Sequence, residues 1–256
     1  MNQRHLFATD LRRALLSWRF IISACGVSLI MFAAVPGLLG DTSSSVFYLM
    51  DLSLPGSGLS SMVLCILPVF AFAISFASEW EEKAVSFWIV RTGVVRYTIS
   101  KIVVSAVSGF MTIVVGMILF ILVLRPWFPL FTTVHTDLSY ETLMVQGHVY
   151  AGLLLYISHF ALSGALTAVC AMWISAYLPN RFVVATAPVV LYFTSLRITG
   201  RLELPAYLDP VFWVGGIYNV ASPVATLLTK LVTVIILCCI MCVAATLQMK
   251  RRISHA

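Results

Sequence analysis

Along the chain, runs of about twenty apolar residues without a charge alternate with short charged segments. The runs cover residues 20–39, 59–78, 102–124, 149–178, 182–196 and 231–249. A helix that crosses the roughly 30 Å hydrocarbon core of a bilayer needs about 20 apolar residues. The pattern therefore predicts an all-α polytopic membrane protein with six spans. The fifth run has only 15 residues and holds Pro188, so it must borrow from residues 197–202 or sit where protein lines it. The sixth span is expected to begin near Pro223 and run over 223–249. That start puts Lys230 at its outer end, where a long stem can snorkel.

The segments between the runs differ in kind. Residues 40–58 read as an outer loop rich in Ser and Gly. A second outer loop, 125–148, opens with Arg125-Pro126-Trp127-Phe128-Pro129, an aromatic edge suited to the membrane interface, and 137–148 can form a short surface helix. Residues 197–222 are too apolar for a freely solvated loop, and Pro205, Pro210 and Gly215-Gly216 break them into pieces. A re-entrant hairpin fits that combination. Ahead of the first run, Phe7, Leu11, Ala14, Leu15 and Trp18 share one helical face while His5, Thr9, Arg12 and Arg13 take another. Residues 1–19 thus read as an amphipathic interfacial helix, or as a basic leader that only sets topology.

Composition agrees with the pattern. Hydrophobic residues make up 61% of the 256, charged residues 10%, and mean hydropathy is +1.00; soluble domains are nearer a quarter charged. With the N-terminus inside, twelve basic residues fall in inner segments and four (Arg125, Arg197, Arg201, Lys230) in outer ones. The positive-inside rule then puts both termini in the cytoplasm, with a plasma (inner) membrane location. The net charge of +6 needs no nucleic acid, because an anionic leaflet accounts for it. The first apolar run is too long for a cleavable signal peptide. All six cysteines fall inside predicted spans; the cluster Cys238-Cys239-Cys242 could be read as a metal site, but buried free cysteines behave as small hydrophobes, and no metal is expected.

Charge concentrates between spans two and three. Residues 78–101 hold Glu79, Glu81, Glu82, Lys83, Arg91, Arg96 and Lys101, seven of the 26 charged residues in the chain. A helix over 82–92 would put Val85, Trp88, Ile89 and Thr92 on one face, with Gly93 ending it. Its acidic side would lie at the positive end of the helix dipole. Such a helix can rest on lipid or dock into a groove of another protein.

This loop resembles that of type-2 ABC exporter permeases: an acidic pair after span two (Glu79, Glu81), a short helix, Gly93, Arg96, and Ser100-Lys101 opening span three. The Gly-Thr that commonly follows the acidic pair is Lys83-Ala84 here. The resemblance implies a coupling helix that seats in a cytoplasmic ATP-binding subunit, with ATP and Mg in that partner and no cofactor in this chain. Glu79, Glu81 and Glu82 would brace the loop against basic groups, and Val85, Phe87, Trp88 and Ile89 would be apolar anchors, flanked by Arg91 and Arg96. It also implies a second permease subunit, identical or homologous, and a connecting helix before span one. Consistent with a non-enzymatic transport subunit, the chain has no GxxxxGK[ST] phosphate loop.

Within the spans, His159 is the candidate intramembrane polar site; it is either part of a transport path or a neutral histidine bonded to a neighbouring helix. HExxH and GxSxG motifs are absent, which argues against an intramembrane enzyme. The scarcity of charge in the spans favours a hydrophobic or amphipathic cargo, such as an antimicrobial peptide or a drug. The competing reading is a stand-alone membrane immunity or scaffold protein without transport.

Overall fold

The computed structural model describes residues 3–38, 44–54, 60–132, 139–199, 209–220 and 222–254. The described residues form helices joined by turns and short irregular segments, with no strand among them. Four helices are long and apolar enough to cross a membrane: α7 (Val94–Leu124), α9 (Val149–Tyr177), α10 (Arg181–Thr199) and α12 (Pro223–Ser254). Two bent pairs raise the number to six if each pair is one span. The first is α1 (Gln3–Leu15) with α2 (Trp18–Ala34), bent by 47°; the second is α4 (Ser60–Ala71) with α5 (Ser75–Glu81), bent by 49°.

The first bend has a local cause. Ser17 starts α2 afresh, its hydroxyl accepting the Phe20 N–H at 3.1 Å, as an N-cap does. In α4, Pro68 lacks the N–H that would bond the Leu64 carbonyl. Thr167 of α9 supplies the missing donor, its hydroxyl 2.8 Å from that oxygen. A proline becomes tolerable at depth when a neighbouring helix satisfies the freed carbonyl.

The bundle is organised around α9, which packs against α7, α12, α4 and α10 and has 72% of its most apolar window buried. Small residues let α7 approach it: a Cβ added at Gly109 would lie 2.4 Å from the Gly164 carbonyl oxygen. Close backbone contact of this kind is how helices associate where no hydrophobic force drives them. By contrast, only 11% of the corresponding windows of α10 and α12 is buried. Their outer faces are bare in a single chain.

At the far end of the bundle from α5, the segment expected as an outer loop holds α3 (Val46–Ser53). Its Phe47, Leu49 and Met50 are fully buried in the main core, and the Val46 and Phe47 N–H groups bond the carbonyls of Pro129 and Leu130. The outer-loop expectation does not include this helix, because the apolar run Val46–Met50 is too short to register as a span yet long enough to cover the bundle. Beside it, α8 (Ser139–Val145) ends at Gly147, whose φ of +90° suits only glycine. The segment expected as a re-entrant hairpin contains the end of α10 and α11 (Pro210–Val214), which packs against α9, α10 and α12. Residues 200–208 of that expectation lie outside the described residues.

Candidate functional site

The charged loop folds differently from its sequence expectation at one point. A helix over 82–92 with an acidic first turn does not form; α5 runs through Glu81, and α6 (Val85–Thr92) has no acid in its first turn. Lys83 adopts φ +55°. Its N–H bonds the Trp80 carbonyl and the Ala84 N–H bonds the Glu79 carbonyl, the pair of bonds that defines a Schellman stop. Glu79, Glu81 and Glu82 therefore belong to the end of α5, and none of them lies at the positive end of the α6 dipole. Gly93, with φ +81°, ends α6 and starts α7.

Each acid at the end of α5 meets a cation: Glu79 a buried one, Glu81 and Glu82 a shared one on the surface. Glu79 accepts from Lys101 Nζ at 2.6 Å and from the Tyr97 hydroxyl at 2.6 Å. Lys101 also donates to Asp10 of α1 at 3.1 Å. Lys101 and Asp10 are buried, and the ammonium lies over the Phe72 and Tyr97 rings. One cation thus ties α1, α5 and α7 together. On the surface, Arg181 at the start of α10 meets Glu81 at 2.6 Å and Glu82 at 3.7 Å.

The four apolar residues expected as anchors divide. Val85 is buried, and Trp88 and Ile89 are half-buried against Phe76, Tyr97 and Met249 of the chain's own core. Phe87 is 71% exposed, and Val90, which the sequence did not single out, is 87% exposed. Arg91 and Arg96 lie exposed on either side of Gly93. Between α6 and the end of α12, an apolar groove of about 420 Å³ is lined by Trp80, Val85, Ile89 and Ile253. Arg252 closes one side, stacked 5.1 Å from the Trp80 ring centre and donating to the Tyr177 carbonyl.

A second polar region lies at the α8 end. His159 is buried, its Nε2 3.1 Å from the Gly216 carbonyl and its Nδ1 2.9 Å from the Tyr140 hydroxyl. A carbonyl only accepts, so Nε2 carries the proton and Nδ1 accepts from tyrosine: the ring is a satisfied neutral imidazole. Lys230 does not snorkel. It is buried, donates to the Phe212 carbonyl at 2.6 Å, and with His159 borders a cavity of about 20 Å³, space for one water. Tyr156, packed edge-on to Tyr140, donates to Asp51 of α3 at 3.2 Å.

Asp10, Tyr97 and Arg252 were missed by sequence reasoning. Asp10 left one signal: it is the only acid in residues 1–19, and a lone acid in a basic amphipathic helix implies a cation to meet it. Among the described residues no group of His, Cys, Asp or Glu could hold a metal ion. No family model, curated protein or solved structure matches the chain.

Proposed function

We propose that the chain is the permease subunit of an ABC exporter that moves a hydrophobic or amphipathic cargo, an antimicrobial peptide or a drug, across the plasma membrane. ATP hydrolysis in a separate cytoplasmic subunit drives it, and two permease chains together line the path. In this reading α1 is the interfacial connecting helix, α2 is span one, the bent pair of α4 and α5 is span two, both termini are cytoplasmic, and α6 is the coupling helix.

The observation that carries the reading is the two-sided character of α6. Phe87 and Val90 face outward beside an apolar groove, while the helix is joined through Gly93 to α7, which Lys101 fastens to α5 and α1. Exposed aromatics of this kind are where docking energy concentrates, and a load on α6 reaches two other elements through the buried cation. Trp88 is a poorer anchor than its sequence context suggests, because half of it is committed to the chain's own core. The bare face of α10, with Phe182, Val190, Leu191 and Phe193 uncovered, supports pairing with a second permease subunit through spans one and five.

The test is co-purification of an ATPase subunit with the full chain. Phe87→Asp with Val90→Asp should leave the melting temperature within a degree or two of wild type and lower partner affinity by roughly thirtyfold or more. An unchanged affinity, or a chain that never brings down an ATPase, would favour the stand-alone reading, with α6 resting on lipid.

A further inference from the structure

We propose that the elbow between α1 and α2 is a binding site for the phosphate of an anionic phospholipid. A cleft of about 400 Å³ opens there, lined by Arg13, Arg19 and Arg181 with Ser17, Ser75 and Trp18. Glu79 and Glu82 also reach it, but Glu79 is held by Lys101 and Tyr97, and Glu82 faces Arg181. No carboxylate of the described residues lies within ion-pair distance of Arg13 or Arg19. The Ser75 hydroxyl is buried and has no hydrogen-bond partner. Two guanidinium groups without an ion pair among the described residues and an unused hydroxyl around one cleft are a donor set for a phosphate.

The same phosphate chemistry could come from a free anion, and the surroundings favour a lipid. Next to the cleft, Leu16, Ile21 and Ile22 are 73%, 48% and 54% exposed, an apolar track along which acyl chains can run. Trp18 stands at the mouth, 72% exposed, as an indole does at headgroup depth. The site rests on the membrane placement of α2 and not on the transport reading, so it can be tested without an ATPase.

The experiment is native mass spectrometry of the full chain in detergent, titrated with phosphatidylglycerol, phosphatidylcholine or inorganic phosphate. Wild type should bind one phosphatidylglycerol in preference to phosphatidylcholine, and inorganic phosphate should compete weakly. Arg13→Gln with Arg19→Gln should lower that affinity by about thirtyfold. Ser75→Ala should lower it less. A control of equal charge, Lys250→Gln with Arg251→Gln at the exposed end of α12, should bind as wild type does. Equal binding of both lipids overturns the site, and so does an equal loss in the control, which would mean diffuse attraction to the leaflet. Tight inorganic phosphate binding without a preference for phosphatidylglycerol would replace the lipid with a free anion and overturn it too. All the altered residues are exposed except Ser75, and melting temperatures check that each variant is folded.

Discussion

Two buried lysines sit at opposite ends of this bundle, and the chain treats them in opposite ways. Lys101 lies between two carboxylates and over two aromatic rings. Lys230 has the Phe212 carbonyl, with no carboxylate in ion-pair reach among the described residues. Around Lys101 the two carboxylates come from separate helices, so the ammonium of α7 is tied to α1 through Asp10 and to α5 through Glu79. Around Lys230 the neighbours are His159, threonines of its own helix and a cavity of about 20 Å³. The first arrangement locks elements together. The second has a single neutral partner on another helix, the Phe212 carbonyl of α11.

Removing Lys101 should give the largest effect. Lys101→Met leaves Asp10 and Glu79 facing each other with no counter-charge, and breaking a buried pair costs about 3–5 kcal/mol. Thermal or denaturant unfolding in detergent reads that loss. Adding Asp10→Asn and Glu79→Gln to Lys101→Met should recover most of it, because the cost lies in stranded charge more than in lost attraction. If the triple variant is no better than the single one, the cluster is held by packing and the contrast with Lys230 fails.

Asp51 gives the next effect and belongs to the α8 end. Burial pushes its carboxyl up to about 6, with Glu141 adding to the rise and the Tyr156 hydroxyl opposing it. The unfolded carboxyl titrates near 3.8, so between these values the folded chain holds the proton that the unfolded chain releases. Stability should therefore fall as pH rises from about 4 to about 6 and stay lowered above it, by up to about 3 kcal/mol. Asp51→Asn should remove that slope and stabilise the protein at pH 7. A variant with the wild-type slope would place the titrating group elsewhere.

Lys230 should respond with the opposite sign to Lys101. Lys230→Met removes a desolvated cation and leaves only the Phe212 carbonyl unmatched. Replacing a buried charge by an apolar side chain of similar length is often neutral or stabilising, and a gain of zero to about 2 kcal/mol is expected. A loss comparable to that of Lys101→Met would mean that Lys230 anchors α11 to α12 as firmly as Lys101 anchors α1.

The sequence was readable where one physical rule acts over a long stretch. Runs of twenty uncharged residues marked the apolar helices, since a bilayer core imposes that length whatever the neighbours are. Helix breaks were harder. The bend at Ser17 depends on a single hydroxyl, and the tolerance of Pro68 depends on Thr167, about a hundred residues away in the chain. The stop at Lys83 escaped because a lysine took the left-handed position where glycine is the usual signal. In the candidate site, the acids were visible as a cluster, but their assignment to α5 hung on that stop. Lys101 announced a need for carboxylates; that Asp10 answers it is a matter of how α1 folds back, and no local pattern encodes that. Phe87 and Trp88 are adjacent and similar in sequence, and only packing against the core cluster that holds Tyr97 and Met249 separates the half-buried ring from the exposed one.

The smallest effect should come from Arg181, whose contacts with Glu81 and Glu82 resemble those of Lys101 in chemistry but not in setting. The Arg181–Glu81 pair is 2.6 Å long, yet its side chains are 45% and 41% exposed. Water already solvates both groups when the pair is apart, so its net contribution should stay below about 1 kcal/mol. Salt should separate the two cases further, since a Debye length of about 3 Å at 1 M screens an exposed pair and reaches a buried one far less. Arg181→Met should therefore cost little in dilute buffer and nothing measurable at 1 M salt, while Lys101→Met should cost nearly the same in both. Because Arg181 joins the start of α10 to the end of α5, the variant should also free the loop that carries α6, and faster amide exchange at Glu82, Lys83 and Ala84 would report it. If Arg181→Met proves as damaging as Lys101→Met and as insensitive to salt, the pair is shielded in the assembled protein. A second subunit covering that face of α10 would then be the physical reason.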